Sequence, residues 1–289
     1  GTWPTDGERP NTIPTPSATD CGNPNSYIIP WYWVPQSAVD DKLIKYDKDG
    51  NVVWEWKHKW LFGFRDITNA TNERTFIVAP IPDAYGVGNS ATLLYEERGT
   101  MPGALLLGMM SSLPFDYTTR QKIGGSHASI SFVKQFPVLT PEQISDVARL
   151  KIIPRVAELC YFNHDLDGWM EELWHDEEMT DEIRNLIAER LKGCNGIQFT
   201  EIDFNNIEPF IYNEDRRATA QAELDAIFAH LYGLTTEELR YILDPEDVCG
   251  VGCINETFRV LKDNETRKYG EYRTKRLVLE AWNKMGFNN

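Results

Sequence analysis

Two polar segments concentrate residue types suited to reading base edges. The first, RDITNATNERT, runs from Arg65 to Thr75 and offers Arg65, Thr68, Asn69, Asn72 and Arg74. The second, FDYTTRQKIGGSHASISF, offers Arg120, Gln121, Lys122, Ser126 and His127. Asn89 closes a third loop that follows Pro80. Arginine meets guanine through a two-pronged contact in the major groove, and Asn or Gln does the same for adenine. Lys122 and the amides of Gly124 and Gly125 suit phosphate, because glycine lets the backbone approach closely. The competing reading is of ordinary loops, with Arg74 paired to Asp66 or Glu73.

Other chemistries have weaker footholds. Glu55 and Lys57 form the E-x-K half of a metal-dependent nuclease core, with Asp40 and Asp41 upstream. Carboxylates there would hold Mg²⁺ and the lysine would help to activate water. The same pair is also what an exposed hairpin strand carries. Cys249 and Cys253 lack the second ligand pair that a structural zinc wants. His58, His127, His164, His175 and His230 show no spacing of a metal pair or catalytic dyad. The sequence has no N-P-P-Y loop, no glycine-rich turn for a methionine cofactor, and no phosphate-loop or dinucleotide fingerprint.

The elements that must carry these loops follow from pattern. KLIKYDKDGNVVWEWKHKW reads as a β-hairpin turning at Asp49-Gly50. TFIVAPI, SATLLYE and SISFVKQF read as further strands. GALLLGMMSSLPFDYTTRQKI starts as a helix that Pro114 kinks or ends. Thr140, Pro141 and Gln143 form a helix start with a capping box. Ala220, Leu224, Ile227, Phe228, Leu231 and Tyr232 form an amphipathic stripe that stops at Gly233, and Thr235 with Glu238 caps the next helix. EELWHDEEMTDEIRNLIAERLKG reads as a solvated helical pair. The expected class is α+β: residues 1–27 a linker, 28–145 a mixed-sheet α/β unit, and 146–289 a helical extension.

Charge is unevenly placed. The net charge is −15, which argues against a simple DNA-coating protein. Residues 41–137 nevertheless carry 11 basic and 10 acidic residues, residues 138–260 carry 10 and 26, and residues 261–289 carry 7 and 4. A near-neutral segment and a basic tail therefore remain available to phosphates. Five cysteines at irregular spacing give no disulfide framework, which points to a reducing, cytoplasmic setting. No apolar run approaches the ~20 residues needed to span a bilayer, so no membrane partner is expected.

WLFGFRDITNATNERTFIVAPIPDAYGVGNSATLL resembles the recognition region of large single-chain restriction-modification enzymes, the Eco57I-like and MmeI-like proteins that contain an N6-adenine DNA methyltransferase. Their R-x-I-x-x-A-T-N/D-E-R-T segment corresponds to Arg65, Ile67, Ala70, Thr71, Asn72, Glu73, Arg74 and Thr75, followed by Gly88-Asn89. LLLGMMSSLPFDYTTRQKIGGSHASISFVKQFPVLTPEQ resembles their F-D-Y-x-x-R-Q-K-x-G-G-x-H stretch and is distantly similar to half of a type I specificity subunit. The resemblance spans roughly residues 28–283.

It implies a target recognition domain with a helical extension, part of a phage-defence system of the type II restriction class. Double-stranded DNA and the methyltransferase domain of the same polypeptide are the implied partners. It implies no cofactor and no catalytic residue in this chain, with S-adenosylmethionine, and Mg²⁺ if the parent also cleaves DNA, belonging to the parent enzyme. Alternatives are an acidic module that docks a partner subunit of a defence system, a DNA mimic, and an autonomous nuclease.

Overall fold

The computed structural model describes residues 16–27, 33–197, 202–253 and 257–285. Strands β1 (Ile44–Tyr46) and β2 (Val52–Glu55) form the expected antiparallel hairpin. Its turn places Gly50 at φ 87°, where a side chain would be strained, and Asp47 accepts from the amides of Asp49 and Asn51 at 2.9 and 2.8 Å. Strands β3 (Trp60–Arg65), β4 (Val78–Pro82) and β5 (Ala91–Leu94) form an antiparallel sheet in the order β4-β3-β5. Every residue of β3 from Trp60 to Phe64 is buried, which suits a central strand, and only Arg65 emerges.

Helices α1 (Thr100–Met110) and α2 (Leu113–Lys122) follow, with Pro114 in the first turn of α2, where its missing N–H does no harm. The remaining longer helices are α3 (Asp146–Cys160), α4 (Asp167–Trp174), α5 (Asp181–Asn195), α6 (Glu214–Leu231), α7 (Thr236–Leu243), α8 (Arg259–Tyr269) and α9 (Arg273–Lys284). The fold is α+β, helical in its C-terminal half.

The hydrophobic core takes in β3, α1, α3, α4, α5 and α6 in one cluster that runs from Trp56 to Phe228. It continues without a break across residue 145. A second cluster joins α2, α6, α7, α8 and α9 around Leu113, Ala226, Leu239 and Val278. The segment before residue 28 is pinned to the body where described: His164 N donates to Pro24 O at 3.0 Å, and Asn163 Nδ2 to Ser26 O at 3.3 Å. Residues 1–15 lie outside the described part of the chain.

Three expectations change. SISFVKQF is not a strand: residues Ile130–Val133 form a helical turn, because Val133 and Phe136 are the buried pair and their spacing of three is a helical one. The capping box of Thr140 and Gln143 forms, but it starts a 3₁₀ turn at Pro141–Gln143. The α-helix begins at Asp146, capped by Ser145. Finally, α6 is more than an amphipathic surface helix. Ala222, Asp225, Ala226 and Ala229 are buried as well as Ala220, Leu224, Ile227 and Phe228 of the apolar stripe, so its C-terminal half sits between the two clusters.

Candidate nucleic-acid interface

The two polar segments, far apart in sequence, lie side by side. Ile67 and His127 form an isolated antiparallel bridge. Thr68 N donates to Ser126 O at 3.0 Å, and Ala128 N donates to Asp66 O at 2.8 Å. His127 Nδ1 meets Asp66 Oδ2 at 2.7 Å. The third loop joins them, since Asp66 N donates to Ser90 O at 2.9 Å. Arg65, Asn69, Asn89, Gln121, Lys122, Ser126 and His127 are all exposed along this edge. Among the described residues no ion pair holds Arg65 or Lys122.

Other candidate residues hold the loop itself. All five N–H donors of Arg120 have protein acceptors. Nε donates to Asp116 Oδ2 at 2.9 Å. Nη1 donates to Ala70 O and Thr257 O at 3.1 and 2.7 Å, and Nη2 donates to Asn72 O and Glu73 O at 2.8 Å each. The guanidinium also lies 4.6 Å from the Phe258 ring centre. Asp116 in turn accepts from Thr75 N at 2.9 Å and Phe76 N at 2.6 Å.

Arg74 pairs with neither Asp66 nor Glu73. It forms a two-pronged pair with the buried Asp225 at 3.2 and 3.1 Å and donates to Ser111 O at 2.9 Å. Burial would lower the pKa of Arg74, but Asp225 outweighs it and raises the guanidinium above its ordinary range. Thr68 is buried, with its hydroxyl on Thr75 O at 2.5 Å. Asn72 Nδ2 donates to Thr68 Oγ1 at 3.1 Å. Asn69 turns the loop, its Oδ1 accepting from Thr71 N at 2.9 Å. The candidates thus divide into a frame (Thr68, Asn72, Arg74, Arg120) and an outward set (Arg65, Asn69, Asn89, Gln121, Lys122, Ser126, His127).

The basic C-terminal segment reaches the same edge. Asn264 Nδ2, on α8, donates to Glu73 Oε1 at 2.8 Å. Sequence reasoning missed Asp116 and Asp225, which fix the frame. The signal for Asp116 was its i,i+4 spacing to Arg120. For Asp225 it was an acid set inside the apolar run Leu224–Ala229 of α6.

Part of the acidic excess of residues 138–260 is internal wiring. Glu158, only 3% exposed, takes Arg190 and Arg216. Glu172 accepts from Lys59 N at 2.6 Å and Trp60 Nε1 at 3.1 Å, and Asp176 accepts from Met101 N at 2.8 Å. The Glu172 and Asp176 contacts gather at the Trp60 end of β3. The polar loops lie at its Arg65 end, about 17 Å away at ~3.4 Å per residue. That distance exceeds the screening length of about 8 Å at physiological salt.

Glu55 and Lys57 form an exposed pair at 3.8 Å, and no group of three or more potential metal ligands occurs among the described residues. No helix among them is long and apolar enough to cross a membrane. Comparison of the chain with family models, curated proteins and solved structures finds no match.

Proposed function

We propose that this chain is a recognition module for double-stranded DNA. It would position a duplex for an N6-adenine methyltransferase domain of the same restriction-modification polypeptide, which would supply the S-adenosylmethionine chemistry. The observation that carries the reading is the Ile67–His127 bridge, which with the Asp66–Ser90 bond aligns three polar loops into one edge where Arg65 and Lys122 are exposed and, among the described residues, without an ion pair. The loop backbone is held rigidly from within by Arg120 and Asp116, as a surface that must present donors in fixed register requires.

The alternative, an acidic module that docks a partner through residues 165–189, draws less support, because Glu172 and Asp176 within it already serve internal partners.

An electrophoretic shift with a randomised duplex pool tests the proposal. Retardation at low salt that weakens as salt rises is expected. A folded chain that retards no duplex at low salt would overturn it.

A further inference from the structure

A cleft of about 660 Å³ opens beside the polar edge, with Ala70 and Thr71 on its loop side. Its size falls within the range of about 300–1,000 Å³ typical of small-ligand sites. Its lining is mixed in character. Tyr117 comes from α2, Tyr241 from α7, Gln121 from the end of α2 and Arg259 from the start of α8.

Neither tyrosine ring stacks on another aromatic among the described residues, and both are half-buried. Gln121 has no hydrogen-bond partner and Arg259 no ion pair among those residues. Glu246, also in the lining, is neutralised by Lys262 at 3.1 Å. The Arg120 charge below is matched by Asp116. Among the described residues the cleft therefore offers one cation without an ion pair, two tyrosine rings without an aromatic partner, of which Tyr117 also packs on the second core cluster, and one amide with both donor and acceptor.

That inventory fits one ligand class. A nucleobase stacks on aromatic faces, and each such contact is worth roughly 1–3 kcal/mol. Its Watson–Crick edge carries both donors and acceptors, which a glutamine amide matches, and its phosphate needs a cation. We propose that the cleft binds a single nucleotide unit, extruded from the strand that runs along the Arg65–Thr75 loop. Its base would lie against Tyr117 or Tyr241, its edge toward Gln121 and its phosphate toward Arg259. The strand as source rests on the DNA-recognition reading above, whereas the nucleotide chemistry of the cleft does not. Extrusion from a duplex takes a few kcal/mol and is least costly for an unpaired base, so an unpaired nucleotide is the sensitive probe.

The 289-residue chain should be titrated with two duplexes that are identical except for one unpaired 2-aminopurine, and separately with AMP and UMP. Tighter binding of the bulged duplex by about tenfold, the equivalent of one stacking contact, is expected, together with a change in 2-aminopurine fluorescence. Tyr241→Leu and Arg259→Gln should each abolish that preference. Because Arg259 is exposed, its variant keeps the test informative should Tyr241→Leu fail to fold.

Equal binding of both duplexes, or a preference that survives both substitutions, overturns the cleft as a nucleotide site while leaving duplex recognition standing. Binding of AMP or UMP that the variants lose, with no duplex bound, upholds the cleft as a site for a free nucleotide and overturns duplex recognition instead. Silence toward every probe overturns both.

Discussion

Arg120 and Asp116 sit one helical turn apart on α2, joined at 2.9 Å, with side chains only 3% and 1% exposed. Between them they grip the backbone of the Arg65–Thr75 loop from below. The carboxylate takes the amides of Thr75 and Phe76, and the guanidinium takes the carbonyls of Ala70, Asn72 and Glu73. An arginine that looks suited to a base is instead the brace of the loop that presents other side chains.

Replacing Arg120 should therefore act on stability before it acts on binding. Arg120→Met leaves Asp116 buried without its ion-pair partner, and breaking a buried pair costs about 3–5 kcal/mol. Arg120→Lys should recover little of this, since an ammonium cannot span four carbonyls and a carboxylate as a planar fork does. Urea unfolding monitored by tryptophan fluorescence measures both; an Arg120→Met protein as stable as the wild type would refute the brace.

Exposed cations on the edge should behave in the opposite way. Arg65→Ala and Lys122→Ala should each shift stability by no more than about 0.5 kcal/mol. Each should weaken duplex binding and reduce the dependence of log affinity on log salt by about 1, the signature of one lost phosphate contact. Salt-titrated fluorescence anisotropy separates this outcome from a general loss of fold.

Acid sensitivity should trace in part to Asp244. Burial would raise its pKa, but hydrogen bonds from Lys275 and Lys262, at 2.9 and 3.1 Å, outweigh it and hold the carboxyl below its ordinary range. A depressed folded pKa contributes stability that is present above the unfolded value and lost as pH falls through the folded one. Wild-type stability should thus fall as pH drops below about 4. Asp244→Asn should start lower at neutral pH, by roughly 1.5–3 kcal/mol for hydrogen bonds to a charged group, and show a flatter acid limb. Denaturation midpoints measured from pH 7 to pH 3 for both proteins provide the check.

A packing prediction concerns Gly103. A Cβ there would lie 2.8 Å from the Trp60 ring. That ring is fixed by Nε1 donating to Thr100 and Glu172, at 3.1 Å each. Gly103→Ala should destabilise by about 1–3 kcal/mol through overpacking, readable as a lowered thermal midpoint.

Local chemistry made part of this fold legible. Asp49-Gly50, Pro114, Thr235 with Glu238, and Gly233 each dictate a turn, a helix start or a helix stop through local backbone geometry or a local side-chain cap, and each does so here. What stayed hidden depends on partners distant in sequence. Arg74 finds Asp225 across the body of the protein, and Ser126 finds Thr68 through backbone pairing. No window of sequence separates an arginine that faces outward from one that faces a buried carboxylate. The acidic run divides for the same reason: Glu172 and Asp176 are spoken for by Lys59, Trp60 and Met101, whereas Glu177, Glu178, Asp181, Glu182 and Glu189 are exposed.

The loop's shape is set by Asn69 within it and by groups beneath it, Asp116, Arg120 and Asp225, while Thr71 and Glu73 are exposed on its upper side. Scaffold and lettering are thereby separable. Residues on the upper side can be exchanged through successive generations without reworking the buried frame, so a single architecture could acquire new preferences one side chain at a time.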